Sequence, residues 1–162
     1  MKEISKVSTV QSYTDISELN SDDKNLLELA KKATLTAYAP YSNFKVGCAV
    51  LLANGAIVIG NNQENIAFPS GLCAERVAIF SAGANYPDTP VVAMAITVKS
   101  EDFLVEQPIM SCGACLQSMS EYEMRFNQPI RIILQGETGD IHVAQGTQTF
   151  MPFQFWMDGL KR

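Results

Sequence analysis

The dipeptide Asn54–Gly55 divides two strand-length apolar runs, and this arrangement constrains the fold more than any other part of the sequence. Both runs lie within KVGCAVLLANGAIVIG, residues 45–60. Asn-Gly is a strong hairpin signal because the central positions of a tight β-turn require positive φ, which these two residues tolerate. The segment therefore predicts two antiparallel strands.

The remaining periodic segments alternate between helix and strand patterns. A helix is expected to begin at Ser21 as its cap and to run until Pro40 stops it, because Leu26, Ala30, Ala33 and Ala37 recur on one face. The other expected elements are a helix from about Cys73, a strand at 91–98, a helix from near Cys112, a strand at 130–136 and a short strand around IHVAQ. This order predicts an α/β fold in which a mixed β-sheet is covered by helices on both faces.

The length and composition favour one soluble globular domain. The chain has 162 residues, of which 47% are hydrophobic and 18% are charged. We expect a loosely structured N-terminal extension over 1–20 and a single domain over 21–162. The first twenty residues lack the apolar core of a secretory signal and no apolar run is long enough to cross a bilayer, so a cytoplasmic location without membrane contact is expected.

The acidic balance of the chain limits its partners. The formal net charge is −5, and the sequence pI is about 4.8. Nucleic-acid binding draws most of its affinity from Lys and Arg that neutralise phosphates, so a nucleic-acid partner is disfavoured. A small neutral ligand suits this composition better.

Two cysteines occur in SCGACLQ, at Cys112 and Cys115, with a spacing that places both on one helix face. A single C-x-x-C is compatible with a redox centre or with half of a zinc site. Four cysteines in a chain without an export signal are expected to be free or metal-bound. A thioredoxin-like dithiol remains possible but leaves Cys-Ala-Glu at 73–75 unexplained.

The remaining candidates decide how many thiols are available to a metal. Cys48 lies inside an apolar run and is predicted to be a core residue, whereas His142 lies in a strand-like context and is predicted to be a surface or edge residue. Cys73, at a predicted helix start, is left as the third thiol. Three thiolates without a fourth protein ligand leave a position open for water, whereas a structural knuckle normally supplies two pairs of ligands.

Four segments of the sequence together resemble one family. Cys-Ala-Glu-Arg at 73–76 with Cys-Gly-Ala-Cys at 112–115 resembles the zinc signature of cytidine deaminases. AYAPYSNFKVG at 37–47, GNNQENIAFPSGLCAER at 60–76 and FMPFQF at 150–155 resemble other stretches of that family. These segments are collinear from about 37 to 155, and the resemblance is to the small, homotetrameric, zinc-dependent class.

This resemblance implies a catalytic zinc site. One Zn²⁺ per subunit would be bound by Cys73, Cys112 and Cys115, and Glu75 would be the proton shuttle of the reaction. Arg76 would hydrogen-bond the ligand sulfurs without binding the metal itself. The implied reaction is the hydrolytic deamination of cytidine and deoxycytidine to uridine and deoxyuridine, with release of ammonia.

The resemblance also implies a nucleoside site. Phe44 would form an apolar wall, Asn62 and Glu64 would hold the ribose hydroxyls, and Ala74 would contact the base through its backbone. A carboxylate beside the ribose would repel a phosphate, so nucleosides are expected to be preferred to nucleotides. Phe155 would reach a neighbouring subunit's site in a homotetramer, although its surroundings are equally compatible with docking of PFQFW on its own core.

Two positions depart from the family's P-C-G-x-C-R-Q pattern. Ser111 stands where proline is usual, and as a helix cap it is compatible with the metal geometry. Leu116 stands where arginine is usual, which leaves Arg76 as the nearby cation that the sequence identifies. The charge balance of the predicted zinc site is therefore unusual.

Two alternative functions remain open at this point. One is a deaminase of the same fold that acts on another small nucleoside analogue or base, which the N-x-E-N loop disfavours. The other is a noncatalytic zinc-stabilised module. Zinc content and turnover of cytidine distinguish these alternatives.

Overall fold

The computed structural model describes residues 1–157, so the end of the predicted domain, 158–162, lies outside the described residues. The described chain forms a six-stranded sheet and three α-helices. In chain order these are β1 (Gln11–Tyr13), α1 (Ser21–Thr34), β2 (Phe44–Leu52), β3 (Ile57–Asn61), α2 (Ala74–Asn85), β4 (Val91–Ser100), α3 (Gly113–Phe126), β5 (Arg131–Gln135) and β6 (Ile141–Gln145). Among residues 1–157, the helices are too short or too polar to cross a membrane.

The sheet has the strand order β1-β6-β5-β4-β2-β3. β4 and β5 are parallel, whereas the other neighbouring pairs are antiparallel. The sheet is therefore mixed, as the order of elements along the sequence predicts.

Helices cover both faces of this sheet, which confirms the predicted α/β class. Successive residues of a strand point to opposite faces. Cys48 and Val50 of β2 join a buried cluster with α2 and α3, and Ala49 joins a second buried cluster with α1. Cys48 is fully buried, which confirms its prediction as a core residue, and His142 is a half-buried residue of β6.

The predicted hairpin of β2 and β3 forms, but its turn differs from the expectation. Gly55 has a φ of +84°, whereas Asn54 does not have a positive φ. The carbonyl of Leu52 accepts a hydrogen bond from the N–H of Gly55, and the N–H of Leu52 donates to the carbonyl of Ala56, both at 2.9 Å. The loop thus has three residues, and the expectation of positive φ at both positions of the dipeptide is wrong.

The cap of α1 is Asn20 and not the predicted Ser21. The side chain of Asn20 accepts a hydrogen bond from the N–H of Asp23 at 2.9 Å and donates one to its carboxylate at 2.8 Å. The buried Asp23 carboxylate also forms an ion pair with Arg131 of β5 at 2.6 Å. The start of α1 is therefore attached to the sheet through this ion pair.

The end of α1 also differs from the prediction. The helix ends at Thr34 instead of continuing to Pro40. Tyr38 lies in an isolated bridge with Gln63, and its N–H donates to the carbonyl of Asn62 at 3.0 Å. The chain therefore leaves the helix because its backbone pairs with the segment that follows β3.

The segment before α1 has more structure than expected. Residues 11–13 form β1, which pairs with β6, and residues 16–18 form a 3-10 turn with a capping box. Leu19 is buried against the α1 side of the sheet. The expectation of loose structure is wrong for 11–19, because three residues are too few for a strand pattern in the sequence, and the domain division at residue 20 stays a prediction.

Gly60 of β3 allows α2 to lie directly against the sheet. A Cβ atom at this position would lie 2.5 Å from the backbone nitrogen of Ala78 and 2.7 Å from the carbonyl oxygen of Ala74. Both contacts are to backbone atoms, which cannot rotate away. Any side chain here would push α2 away from β3.

We predict that Gly60→Ala lowers the free energy of unfolding by about 1–3 kcal/mol, because overpacking displaces a packed helix. Urea unfolding followed by circular dichroism measures the change. Gly113→Ala is the matched control, since a Cβ at Gly113 would meet no atom within 4 Å. Equal midpoints for Gly60→Ala and the wild type would contradict the prediction.

Candidate metal centre and active site

Cys73 and Cys112 are the residues that precede the first turns of α2 and α3. Each occupies the N-cap position in an extended backbone conformation, and neither thiol forms a capping hydrogen bond with its helix. Cys115 lies one turn into α3 and is fully buried. Because Cys112 is itself the cap, the expectation that Ser111 caps this helix is wrong.

The three sulfur atoms converge at one point. The Sγ atoms of Cys73, Cys112 and Cys115 all lie within 4.8 Å of one another. The Sγ atoms of Cys112 and Cys115 are 3.5 Å apart. A tetrahedral zinc ion with Zn–S bonds of about 2.3 Å requires sulfurs about 3.8 Å apart, so the thiols are positioned to bind this metal.

The surroundings of these sulfurs favour the thiolate form of Cys73. The thiol of Cys115 donates to Cys73, and the guanidinium of Arg76 lies 3.7 Å from the Cys73 sulfur. These interactions lower the pKa of Cys73 to about 5, although burial opposes the shift. The same hydrogen bond, with burial and the charge of Glu75, raises the pKa of Cys115. The first turns of α2 and α3 direct positive helix ends toward the sulfurs and stabilise negative charge there.

Arg76 is the arginine that the structure places beside the sulfurs. Its Nη2 atom contacts Cys73, and its Nε atom is buried without a hydrogen-bond partner in residues 1–157. Leu116 is 6% exposed and packs in the apolar cluster shared by α2 and α3. The position after Cys115 therefore contributes packing and not charge.

Glu75 lies in the first turn of α2, two residues after Cys73. Its side chain is only 5% exposed, yet it lines the same cavity as Cys73 and Cys112. Burial raises the pKa of Glu75, and the charge of Cys73 raises it further. The carboxyl group therefore lines the cavity beside Cys73 and Cys112 in surroundings that favour its protonated form.

The cavity in front of the sulfurs has a volume of about 780 Å³, which is ample for a nucleoside-sized ligand. Phe44, Asn62 and Glu64 line it, together with Arg76. Asn62 uses its side chain on the backbone of β2: it accepts from the N–H of Val46 at 2.8 Å and donates to the carbonyl of Phe44 at 2.9 Å. Three of the predicted substrate residues thus share one cavity with Cys73 and Cys112.

Two predicted substrate residues do not line this cavity. Ala74 is fully buried in the core cluster. Phe155 is 65% exposed, and its carbonyl accepts a hydrogen bond from the side chain of Gln117 on α3 at 3.1 Å. Contact of Ala74 with the base and of Phe155 with a neighbouring subunit stay predictions.

Several cavity residues were not identified from the sequence. Tyr41, Ser42 and Phe68 line the cavity within segments that carry the family resemblance, so their position beside Phe44 and Glu64 was the available signal. Ile109 and Met110 also line it but belong to an irregular loop before Cys112. That loop has no periodicity from which a cavity wall could be predicted.

Residues 20–126 match the family described as the cytidine and deoxycytidylate deaminase zinc-binding region. The match includes the three clustered cysteines and Glu75. The chain belongs to this deaminase family. Its zinc-binding character agrees with the donor set, since three thiolates are typical zinc ligands.

Relatives named cytidine deaminase match most of the chain. A cytidine deaminase of Halalkalibacterium halodurans is 35% identical over 76% of this chain and 89% of its own length. A cytidine deaminase of Sporosarcina psychrophila is 37% identical over 74% and 82%. The crystal structure of a cytidine deaminase from Burkholderia pseudomallei superposes with a TM-score of 0.71 at 35% identity, covering 85% of this chain and all of that chain.

We predict that Arg76→Ala weakens zinc affinity about 10- to 100-fold, because the Cys73 thiolate loses its nearest cation. Competition with a metal chelator, followed by measurement of protein-bound zinc, gives the affinity. Arg125→Ala removes a guanidinium from the far end of α3 and serves as the control. Wild-type zinc retention in Arg76→Ala would contradict a role for this side chain at the sulfurs.

Proposed function

We propose that the protein is a zinc-dependent enzyme that hydrolyses cytidine and deoxycytidine to uridine and deoxyuridine and releases ammonia. The observation that carries this proposal is the convergence of three metal-binding thiols, with a buried Glu75, beside a nucleoside-sized cavity. The cytidine deaminases to which the chain is similar support the same substrate class.

Cys73, Cys112 and Cys115 would hold one Zn²⁺ per subunit. When bound, zinc supplies a water that is acidic enough to react at neutral pH. Three thiolates would place a large negative charge at the metal. The N-terminal ends of α2 and α3, together with Arg76, would offset part of this charge. With less negative charge at the metal, the pKa of the water that zinc would supply stays low enough for reaction at neutral pH.

Glu75 would move the protons of the reaction. Its carboxylate accepts a proton from the attacking water and delivers one to ring N3 of the base, while a C–O bond forms at C4. Glu75 then transfers the second proton of the water to the departing amine, the C4–N bond breaks, and ammonia leaves. The water thus supplies both the oxygen of the product and the protons that the ring and the leaving group need.

The other lining residues of the cavity would bind the sugar and position the base. Phe44 provides an apolar surface for the nucleoside, Asn62 and Glu64 would bind sugar hydroxyls, and the backbone of Ala74 would contact the base. The carboxylate of Glu64 would also repel a phosphate on the sugar. The proposed substrate is therefore the nucleoside and not the nucleotide or a nucleic acid, in keeping with a net charge of −5.

We further propose a cytoplasmic homotetramer. The four cysteines are all free thiols, which are typical of a reducing compartment. Phe153, Phe155 and Met157 expose more than half of their surface near the C-terminus of the described chain, and such apolar clusters favour subunit contact. In a tetramer Phe155 would reach the cavity of a neighbouring subunit.

We predict that Glu75→Gln keeps its zinc and its fold but lowers kcat by about 10²- to 10⁴-fold, since proton transfer alone is removed. Measurement of bound zinc and of the absorbance change of cytidine separates the two effects. Glu28→Gln, on the exposed side of α1, is the control. If Glu75→Gln lost its zinc, Glu75 would have to be reassigned as a ligand; unchanged turnover would remove it from the mechanism.

We predict that the purified protein deaminates cytidine and deoxycytidine but turns over dCMP about tenfold or more slowly, because the phosphate approaches the Glu64 carboxylate. A spectrophotometric assay across the three compounds tests this order, and removal of zinc with a chelator is expected to abolish all turnover. Bound zinc without turnover of any cytosine nucleoside would instead indicate a noncatalytic zinc-stabilised module.

A further inference from the structure

A tight turn before β2 holds the Glu64 carboxylate. Asn43 has a φ of +53°, and its N–H donates to the carbonyl of Ala39 at 3.1 Å. Within this turn the backbone N–H groups of Tyr41 and Ser42 both donate to Oε2 of Glu64, at 2.8 and 3.3 Å. A left-handed conformation is uncommon outside glycine but is enriched in asparagine, and the turn that contains Asn43 presents two donors to one carboxylate.

The side chain of Ser42 adds a third donor. Its hydroxyl donates to Oε1 of Glu64 and accepts the N–H of Phe44 at 3.1 Å. A hydroxyl has one proton, so this proton is committed to Glu64. Ser42 thereby joins the carboxylate to the backbone of the aromatic wall of the cavity.

These contacts leave acceptor capacity on Glu64. A carboxylate offers about four acceptor positions, and three donors of the turn occupy three of them. Desolvation opposes the ionised form, but the hydrogen bonds from Ser42 and Tyr41 outweigh it and lower the pKa of Glu64. Glu64 is therefore an ionised acceptor with a free position on Oε1, the oxygen that Ser42 fixes, at the wall of the cavity.

We propose that Ser42 is a positioning residue that determines sugar specificity by fixing Oε1 of Glu64 for a hydrogen bond from the substrate's 3′-hydroxyl. This inference rests on the proposed function, because it assigns the sugar end of that cavity. Without the Ser42 hydroxyl, Glu64 keeps only the two backbone donors on its other oxygen. The carboxylate can then rotate, and the oriented acceptor is lost.

A purely structural role for Ser42 has different consequences. Loss of a contact that only closes the turn would lower stability and affect all substrates equally. Loss of an oriented acceptor affects substrates that carry the hydroxyl and leaves those without it unchanged. The ratio of kcat/KM for cytidine to that for 3′-deoxycytidine therefore separates the two roles.

The test compares Ser42→Ala with Ser42→Thr, which retains a hydroxyl. Ser42→Ala is expected to lower the cytidine to 3′-deoxycytidine ratio about tenfold, mainly through KM for cytidine, because one charged hydrogen bond loses its geometry. Ser42→Thr is expected to keep the wild-type ratio. In a Glu64→Gln background, Ser42→Ala is expected to change the ratio less than twofold, since its effect acts through that carboxylate.

An unchanged ratio in Ser42→Ala, or a full effect in the Glu64→Gln background, would overturn the proposal. Calorimetric binding of uridine and of 3′-deoxyuridine supplies a readout without turnover, and the same tenfold loss of discrimination is expected there. If the wild type failed to deaminate cytidine, the proposed function would fail. Wild-type turnover with no discrimination between the two sugars would overturn the Ser42 assignment alone.

Discussion

The directions of three neighbouring strands determine where the site forms. β3 and β4 are both antiparallel to β2, so both end at the sheet edge where β2 begins. The helix that follows each strand, α2 or α3, therefore starts at that edge, and Cys73 and Cys112 are brought together there. Phe44, the first residue of β2, lies at the same edge opposite Ser100, the last residue of β4. The metal ligands and the apolar wall thus converge because of strand direction.

The sequence predicted the elements that carry this convergence. Helix starts at Cys73 and Cys112 could be located because an irregular loop gives way to helical periodicity at each of them. Strand-length apolar runs indicated the central strands of the sheet. The end of α1 could not be predicted, because it depends on the pairing of Tyr38 with Gln63, a contact between distant residues. The same limit applies to Ile109 and Met110, which reach the cavity through tertiary placement and not through a local pattern.

The site residues likewise include some that the sequence could predict and some that it could not. Cysteine spacing and the family resemblance identified the thiols and Glu75, since chemistry restricts the residue types that can serve there. The hydrogen bonds of Asn62 could not be foreseen, because its carboxamide, just after β3, bonds the backbone of Val46 and Phe44 on the neighbouring strand β2. A residue assigned to the ligand therefore also belongs to the framework of the sheet, and its substitution would affect both.

The short strand β1 has a consequence for the behaviour of the protein at high concentration. It covers Ile141–Val143 of β6, a strand that would otherwise present unpaired N–H and C=O groups at the margin of the sheet. Open strands of this kind template pairing between molecules, and very short outer strands limit it. Residues 11–13 therefore limit self-association through β6, whereas β3 is the outer strand on the opposite side of the sheet.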